Sequence, residues 1–107
     1  MANPWRGEVE LVVDGEARAM RLTLAALAEL EERLGTDSLV ALVERFETGV
    51  FRVGDLIALL AAGLGGGGWK VTEAALAAAR IEGGPVGAAQ AAARLLRLTF
   101  ALPGETA

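Results

Sequence analysis

The apolar residues of this chain follow two different periods, and the change between them falls near residue 22. Residues 8–22 alternate between apolar and polar positions in their first half, which is the period of a half-buried strand. Asp14-Gly15 divides this segment, and that dipeptide is typical of a two-residue type I′ turn. We therefore predict a β-hairpin in which Val9 lies opposite Met20. Because an isolated hairpin is marginally stable in water, its apolar face must pack on helices.

Beyond residue 22, apolar residues recur every three or four positions, which predicts amphipathic helices. Thr23 and Gly35 are residue types that cap a helix at its N-terminal and C-terminal ends. Pro85 suits the first turn of a last helix, where no backbone N–H is needed. The predicted helices span residues 24–34, 39–47, 55–64, 73–81 and 86–102.

The same spacing predicts which side chains face the core. In the first, second and last helices, the predicted inward positions are Leu24, Leu27, Leu30 or Glu31, and Leu34, then Leu39, Leu42, Val43 and Phe46, then Val86, Ala89, Ala93, Leu96 and Phe100. In the first helix, Glu29, Glu32 and Arg33 are expected to lie on the outside.

The helix predicted over residues 55–64 has apolar side chains on every side of its axis. A helix without a polar face is expected at the centre of a fold, with other elements around it. Asp55 is its single charge and is placed to cap its N-terminal end or to face its dipole. The glycines at residues 65–68 are expected to end the helix and to act as a linker. Trp69 then folds back as a lid over the core or forms an exposed recognition tip, and we favour the lid.

Strands followed by helices, without alternation, predict an α+β fold rather than a parallel sheet. We expect a mostly helical protein in which an N-terminal β-hairpin packs on about five short helices. A chain of 107 residues is long enough to bury one core, so residues 1–107 are expected to form a single domain. Residues 1–7 and 103–107 are expected to be loose termini.

Charge and composition narrow the possible partners. The net charge is −4 and the cations are scattered, which argues against a nucleic-acid-binding surface. The chain contains no cysteine and no histidine, so disulfides and thiolate chemistry are excluded. The N-terminus lacks the apolar run of a signal peptide, and the most apolar segment is too short to span a bilayer. We therefore expect a cytoplasmic protein with no nucleic-acid or membrane partner.

No arrangement of residues predicts catalysis. Residues 63–68 have the letters of a dinucleotide-binding fingerprint, but they follow a helix rather than a strand. The glutamates of the first two helices have no histidine or cysteine to complete a metal site, and Ser38, the only serine, has no histidine base. A DNA-binding helix-turn-helix would need a polar, basic second helix, whereas residues 55–64 are apolar. We predict no catalytic, cofactor or metal site, and a protein that is not an enzyme.

Four segments carry a resemblance to a known family: the hairpin with its Asp14-Gly15 turn, residues 22–31, residues 38–46, and residues 53–64 with the glycines that follow. Through them, residues 7–100 resemble small proteins encoded among the tail genes of gene transfer agents and related tailed phages. The resemblance implies a non-enzymatic tail assembly chaperone that binds the tape measure protein and assists assembly of the tail tube protein. The alternative is a structural tail component, such as a tube, neck or connector subunit, that is present in the mature particle.

As a chaperone, the protein would hold a partner helix by its apolar stripe in a groove between helices. Large apolar side chains contribute most to such a contact. The candidate partner-binding residues, chosen for their size, are Leu42, Phe46, Leu60 and Trp69.

Overall fold

The computed structural model describes residues 7–35 and 39–100. Within these ranges the chain forms two strands and then five helices: β1 (Val9–Val13), β2 (Glu16–Met20), α1 (Leu24–Leu34), α2 (Leu39–Thr48), α3 (Val53–Gly66), α4 (Glu73–Ala78) and α5 (Gly84–Thr99). This order confirms the predicted α+β fold, mostly helical with an N-terminal hairpin. The termini predicted to be loose lie outside the described residues, except for Gly7.

The hairpin has the predicted register. Val9 pairs with Met20 in an antiparallel ladder, and both residues are buried. Asp14 has a φ of 50° and Gly15 a φ of 82°, so both central residues of the turn have the positive φ of a type I′ turn. The alternating pattern of the first strand therefore places Val9, Leu11 and Val13 on the core face.

The outer edge of β1 is covered by the segment between α4 and α5. The N–H of Glu82 donates to the carbonyl oxygen of Val12 at 3.1 Å, and the N–H of Asp14 donates to that of Arg80 at 2.8 Å. Ile81 thereby forms an antiparallel bridge with Val13. The helix predicted to continue to residue 81 ends at Ala78 instead, because residues 80–82 need extended backbone to reach the strand.

α3 is the central helix, as its composition predicted. It packs against α1, α4, α5 and β2, and Leu56, Leu59 and Leu64 are among its buried residues. Asp55 lies in its first turn, where a carboxylate oxygen accepts a hydrogen bond from the N–H of Arg52 at 3.4 Å. This placement confirms the predicted capping role of Asp55 at the positive end of the helix dipole.

The glycines after residue 64 do not form a linker. Gly65 and Gly66 belong to α3, and Gly67 is its C-cap. A Cβ atom at Gly66 would overlap the carbonyl oxygen of Arg21, and one at Gly67 would overlap that of Ala19. The end of α3 thus meets β2 backbone to backbone, and only glycine allows this approach. The predicted linker is wrong, since Gly65 and Gly66 extend the helix, and Gly66 and Gly67 lie against the hairpin.

The inward faces of α1 and α5 differ from the predicted ones. Leu24 was expected to face the core, but it is 86% exposed, while Ala26 and Leu30 are buried. Val86 and Phe100 of α5 are 67% and 39% exposed, and the buried positions of that helix are Ala88, Ala91, Ala92, Leu95 and Leu96. Alanine and leucine occur on more than one side of both helices, so the three-and-four spacing fits more than one stripe. The contacts with α3 decide which stripe is buried.

The chain bends by 116° between α2 and α3. The rings of Phe46 and Phe51 stack inside this corner, with centroids 4.5 Å apart and planes 14° from parallel. No single helix within the described ranges is long and apolar enough to cross a membrane, and α2 with α3 meets that test only as a pair bent at this corner.

Candidate interaction surfaces

Three of the four residues predicted to bind a partner are buried in this structure. Leu42 is 0% exposed, Phe46 6% and Leu60 2%. Leu42 and Phe46 lie on α2, whereas Leu60 lies on α3. A partner could reach Leu42 and Phe46 only if the helices separated, and the partner-binding role of all three residues stays a prediction.

Trp69, the fourth candidate, lies half-buried against the core. Its N–H donates to the carbonyl oxygen of Leu64 at 2.9 Å, which holds it just beyond the end of α3. The guanidinium carbon of Arg18 lies 4.2 Å from the centre of the indole ring, in the geometry of a cation–π contact. Arg18 also donates to a carboxylate oxygen of Glu16 at 2.8 Å. The tryptophan therefore closes one edge of the core, in agreement with the lid predicted for it.

An apolar cavity of about 210 Å³ lies between α3, α4 and the start of α5. Leu60 is part of its wall, and Val53 stands at its rim, where it is 68% exposed. The other lining residues are Ile57, Leu76, Ala77, Ala79, Ile81, Gly84, Pro85 and Ala88. Such a lining offers shape and apolar contact, but it offers no side chain that could activate a substrate.

The charged side chains near α3 form ion pairs between helices. Arg33 of α1 donates from Nε and Nη2 to the two carboxylate oxygens of Glu73 on α4, at 2.9 Å each. This hydrogen-bonded pairing with Glu73 raises the pKa of Arg33 above its ordinary value. Arg45 lies 3.6 Å from the carboxylate of Asp55, so the capping residue of α3 also connects to α2. These contacts hold elements together, and each carboxylate involved already has a cationic partner.

Within residues 7–35 and 39–100, no three side chains of Asp or Glu come together in an arrangement that could hold a metal ion. α3, the second helix of the 116° corner, is enclosed by α1, α4, α5 and the hairpin. This packing agrees with the prediction that the corner is not a DNA-binding helix-turn-helix, and the expected absence of a nucleic-acid partner stays a prediction.

Comparison with known proteins identifies the family. The model of a family described as "Phage tail tube protein, GTA-gp10" matches residues 6–102. The chain belongs to this family. No curated protein and no solved structure matches it significantly. The resemblance to tail-gene proteins of gene transfer agents and tailed phages is thus confirmed at the level of a tail protein family.

The match also corrects the function implied by the resemblance. A tail assembly chaperone was the main prediction, and a structural tail component was the alternative. The matching family is described as a tail tube protein, which is a structural component. The chaperone prediction is therefore wrong, and the alternative agrees with the family.

Proposed function

We propose that this protein is a structural subunit of a phage-like tail, and that it belongs to the tail tube. The observation that carries this proposal is the family match, which extends from residue 6 to residue 102 of the 107 residues. The surface supports it, because the cavity and the ion pairs described above offer packing and cohesion rather than a reactive group. We also propose that the protein has no enzymatic activity.

The test is the composition of mature particles. Particles are purified by density gradient after nuclease treatment, and this chain is quantified by mass spectrometry against the major capsid protein. A tube subunit is expected at a constant ratio to capsid in every preparation and in many copies per particle, since it repeats along the tail. Absence from mature particles would refute the proposal.

Copy number separates the tube from other parts of the tail. A neck or connector subunit would also be present at a fixed ratio, but as one ring per particle. A deletion strain complemented with a tagged chain provides the matching control. Particles from the deletion strain should lack both the protein and the tail, and particles from the complemented strain should contain both again. The tape measure and tail tube partners, and the cytoplasmic location before assembly, stay predictions that co-purification from cells would check.

A further inference from the structure

The cavity between α3, α4 and the start of α5 has the form of a pocket that opens to solvent. Its floor includes Leu60 and Leu76, which are both buried. Its rim includes Val53 and Ala77, which are both exposed. An exposed apolar rim above an apolar floor would lose further apolar surface to a group that filled the pocket, and such burial is favourable.

The lining of this cavity contains no polar side chain, because every lining residue is valine, isoleucine, leucine, alanine, glycine or proline. Backbone groups of the lining are also engaged. The N–H of Gly84 donates to the carbonyl oxygen of Ile81 at 2.9 Å, and the N–H of Ala79 donates to that of Leu76 at 3.1 Å. A group seated in the cavity gains apolar contact, but a polar group there would find no hydrogen-bond partner on a side chain. The lining therefore favours a purely apolar occupant and disfavours tyrosine, whose hydroxyl would be left unpaired.

The volume of the cavity limits the size of the occupant. The cavity holds about 210 Å³. Apolar cavities of roughly 150 Å³ in proteins bind benzene, so a phenyl ring fits here. Pockets for drug-sized ligands and cofactors are larger, at roughly 300–1,000 Å³. The phenyl ring of a phenylalanine side chain meets both limits.

An uncompensated positive charge lies beside the rim. Arg52 is exposed and immediately precedes Val53 in the chain. Asp55, the acidic residue of α3, already has Arg45 at 3.6 Å. Among residues 7–35 and 39–100, no carboxylate forms an ion pair with the guanidinium of Arg52. An acidic residue next to a side chain seated in the cavity would therefore meet complementary charge.

We propose that this cavity is a docking site for a segment of another protein, one that presents a phenylalanine next to an acidic residue. The phenyl ring fills the cavity and the carboxylate lies beside Arg52. A second copy of this chain does not match, because Phe46 is buried, Phe51 stacks on it, and Phe100 has no acidic neighbour in the sequence. The inference goes beyond the tail tube role and does not depend on it.

NMR titration of the isotope-labelled full chain with capped tetrapeptides tests the contact. The probe acetyl-Gly-Phe-Glu-Gly-amide is expected to shift the backbone amide signals of Ile57 and Gly84 in a saturable way. Acetyl-Gly-Ala-Glu-Gly-amide, which lacks the ring, is expected to give no saturable shift. Acetyl-Gly-Phe-Lys-Gly-amide is expected to bind a few-fold more weakly, because its charge is repelled by Arg52. Equal binding of the phenylalanine and alanine peptides, or of the glutamate and lysine peptides, would overturn the proposal.

Filling the cavity from within the chain tests its position. Ala77→Phe places a ring at the rim and is expected to weaken binding of the phenylalanine–glutamate peptide about tenfold or more, because the two rings compete for one space. Ala78→Phe is the matched control, since Ala78 is also exposed on α4 but does not line this cavity. Thermal unfolding checks that both variants are folded. Equal binding by the two variants would contradict the proposed site.

Removing the positive charge tests the second half of the contact and leaves the cavity intact. Arg52→Gln is expected to weaken binding of the glutamate peptide a few-fold and to leave binding of the lysine peptide no weaker. Arg94→Gln is the control for net charge, because Arg94 is exposed on α5 and does not line the cavity. Equal effects of the two substitutions would show that the charge pairing is wrong. If raising the concentration of the chain alone shifted the same amide signals, the occupant would be a second copy and the proposal would fail.

Discussion

The N–H of Arg21 donates to the carbonyl oxygen of Gly63 at 2.8 Å, and this bond ties the end of the hairpin to the last turn of α3. The same carbonyl accepts the N–H of Gly67 at 3.0 Å. Just beyond this point, Gly66 and Gly67 lie against the backbone of the hairpin at Arg21 and Ala19. Their role is to let two backbones approach, and that role can be tested one glycine at a time.

Gly66→Ala is expected to destabilise the protein by about 3 kcal/mol or more, because the new methyl group would overlap a backbone carbonyl that cannot move away alone. Gly65→Ala is the matched control: it is also helical, and a Cβ there meets no atom within 4 Å. Since alanine favours helix over glycine, the control should stabilise by roughly 0.5–1 kcal/mol. Urea unfolding followed by circular dichroism measures both. Similar unfolding curves for the two variants would contradict the close packing.

Asp14 is expected to stabilise more than its turn. Its carboxylate accepts the N–H of Arg80 at 2.9 Å, and its own N–H donates to the carbonyl oxygen of Arg80. Asp14→Ala removes the acceptor and places a residue poorly suited to positive φ in the turn, so we expect a loss of about 1–2 kcal/mol. Asp14→Asn keeps both an acceptor and a tolerance of positive φ, and it should behave like the natural chain. Equal destabilisation by both substitutions in thermal unfolding would rule out this explanation.

The pair Arg33–Glu73 is expected to give a small, salt-sensitive stabilisation, because both side chains are largely exposed. Arg33→Gln should lower the unfolding midpoint at low ionic strength and have less effect at about 1 M salt, where screening acts within ~3 Å. The pKa of Arg33 is higher in the folded protein than in the unfolded chain. Its contribution to the free energy of unfolding is therefore fully present below the unfolded-state pKa and is lost only as pH rises through the folded-state pKa. Both lie far above neutrality, so Arg33 adds no pH dependence near pH 7. Arg97→Gln is the control for charge, because Arg97 has no ion-pair partner among residues 7–35 and 39–100. An equal effect of the two substitutions would argue against the Arg33–Glu73 pair.

Arg18 is expected to shield Trp69 from water. In a Trp5→Phe background, Trp69 is the only tryptophan and reports on its own surroundings. Arg18→Ala should shift its fluorescence to longer wavelength and make it easier to quench with acrylamide. Arg18→Met keeps an unbranched side chain over the ring and should leave the emission close to that of Arg18. A shift as large in the methionine variant as in the alanine variant would show that side-chain cover is not what protects the ring.

The parts of the fold that depend on local chemistry were predictable. Asp14-Gly15 determines a turn by its own backbone preferences, and Thr23 and Gly35 cap α1 by the predicted roles. The central position of α3 followed from its lack of a polar face. Each of these features depends on residues that are neighbours in the sequence.

The parts that depend on distant partners were not predictable. α4 ends early because Ile81 pairs with Val13, which lies near the other end of the chain. The glycines of residues 65–68 were interpreted as a linker because the close approach of Gly66 to Arg21 and of Gly67 to Ala19 is visible only in three dimensions. Leu24 was assigned to the core because its spacing fits a stripe that the fold leaves outside. The apolar cavity was not predictable either, because its wall is formed by residues of α3, α4 and the start of α5 that come together only in the folded chain.

The cover that residues 80–82 give to the outer edge of β1 has a consequence for protein synthesis. The hairpin precedes residues 80–82 in the sequence, so it is synthesised before the segment that covers its outer edge. Until then the nascent strand has an open edge, which is the feature that templates aggregation. Chains truncated before residue 80 are therefore expected to aggregate and to be degraded faster than chains that contain residues 80–82.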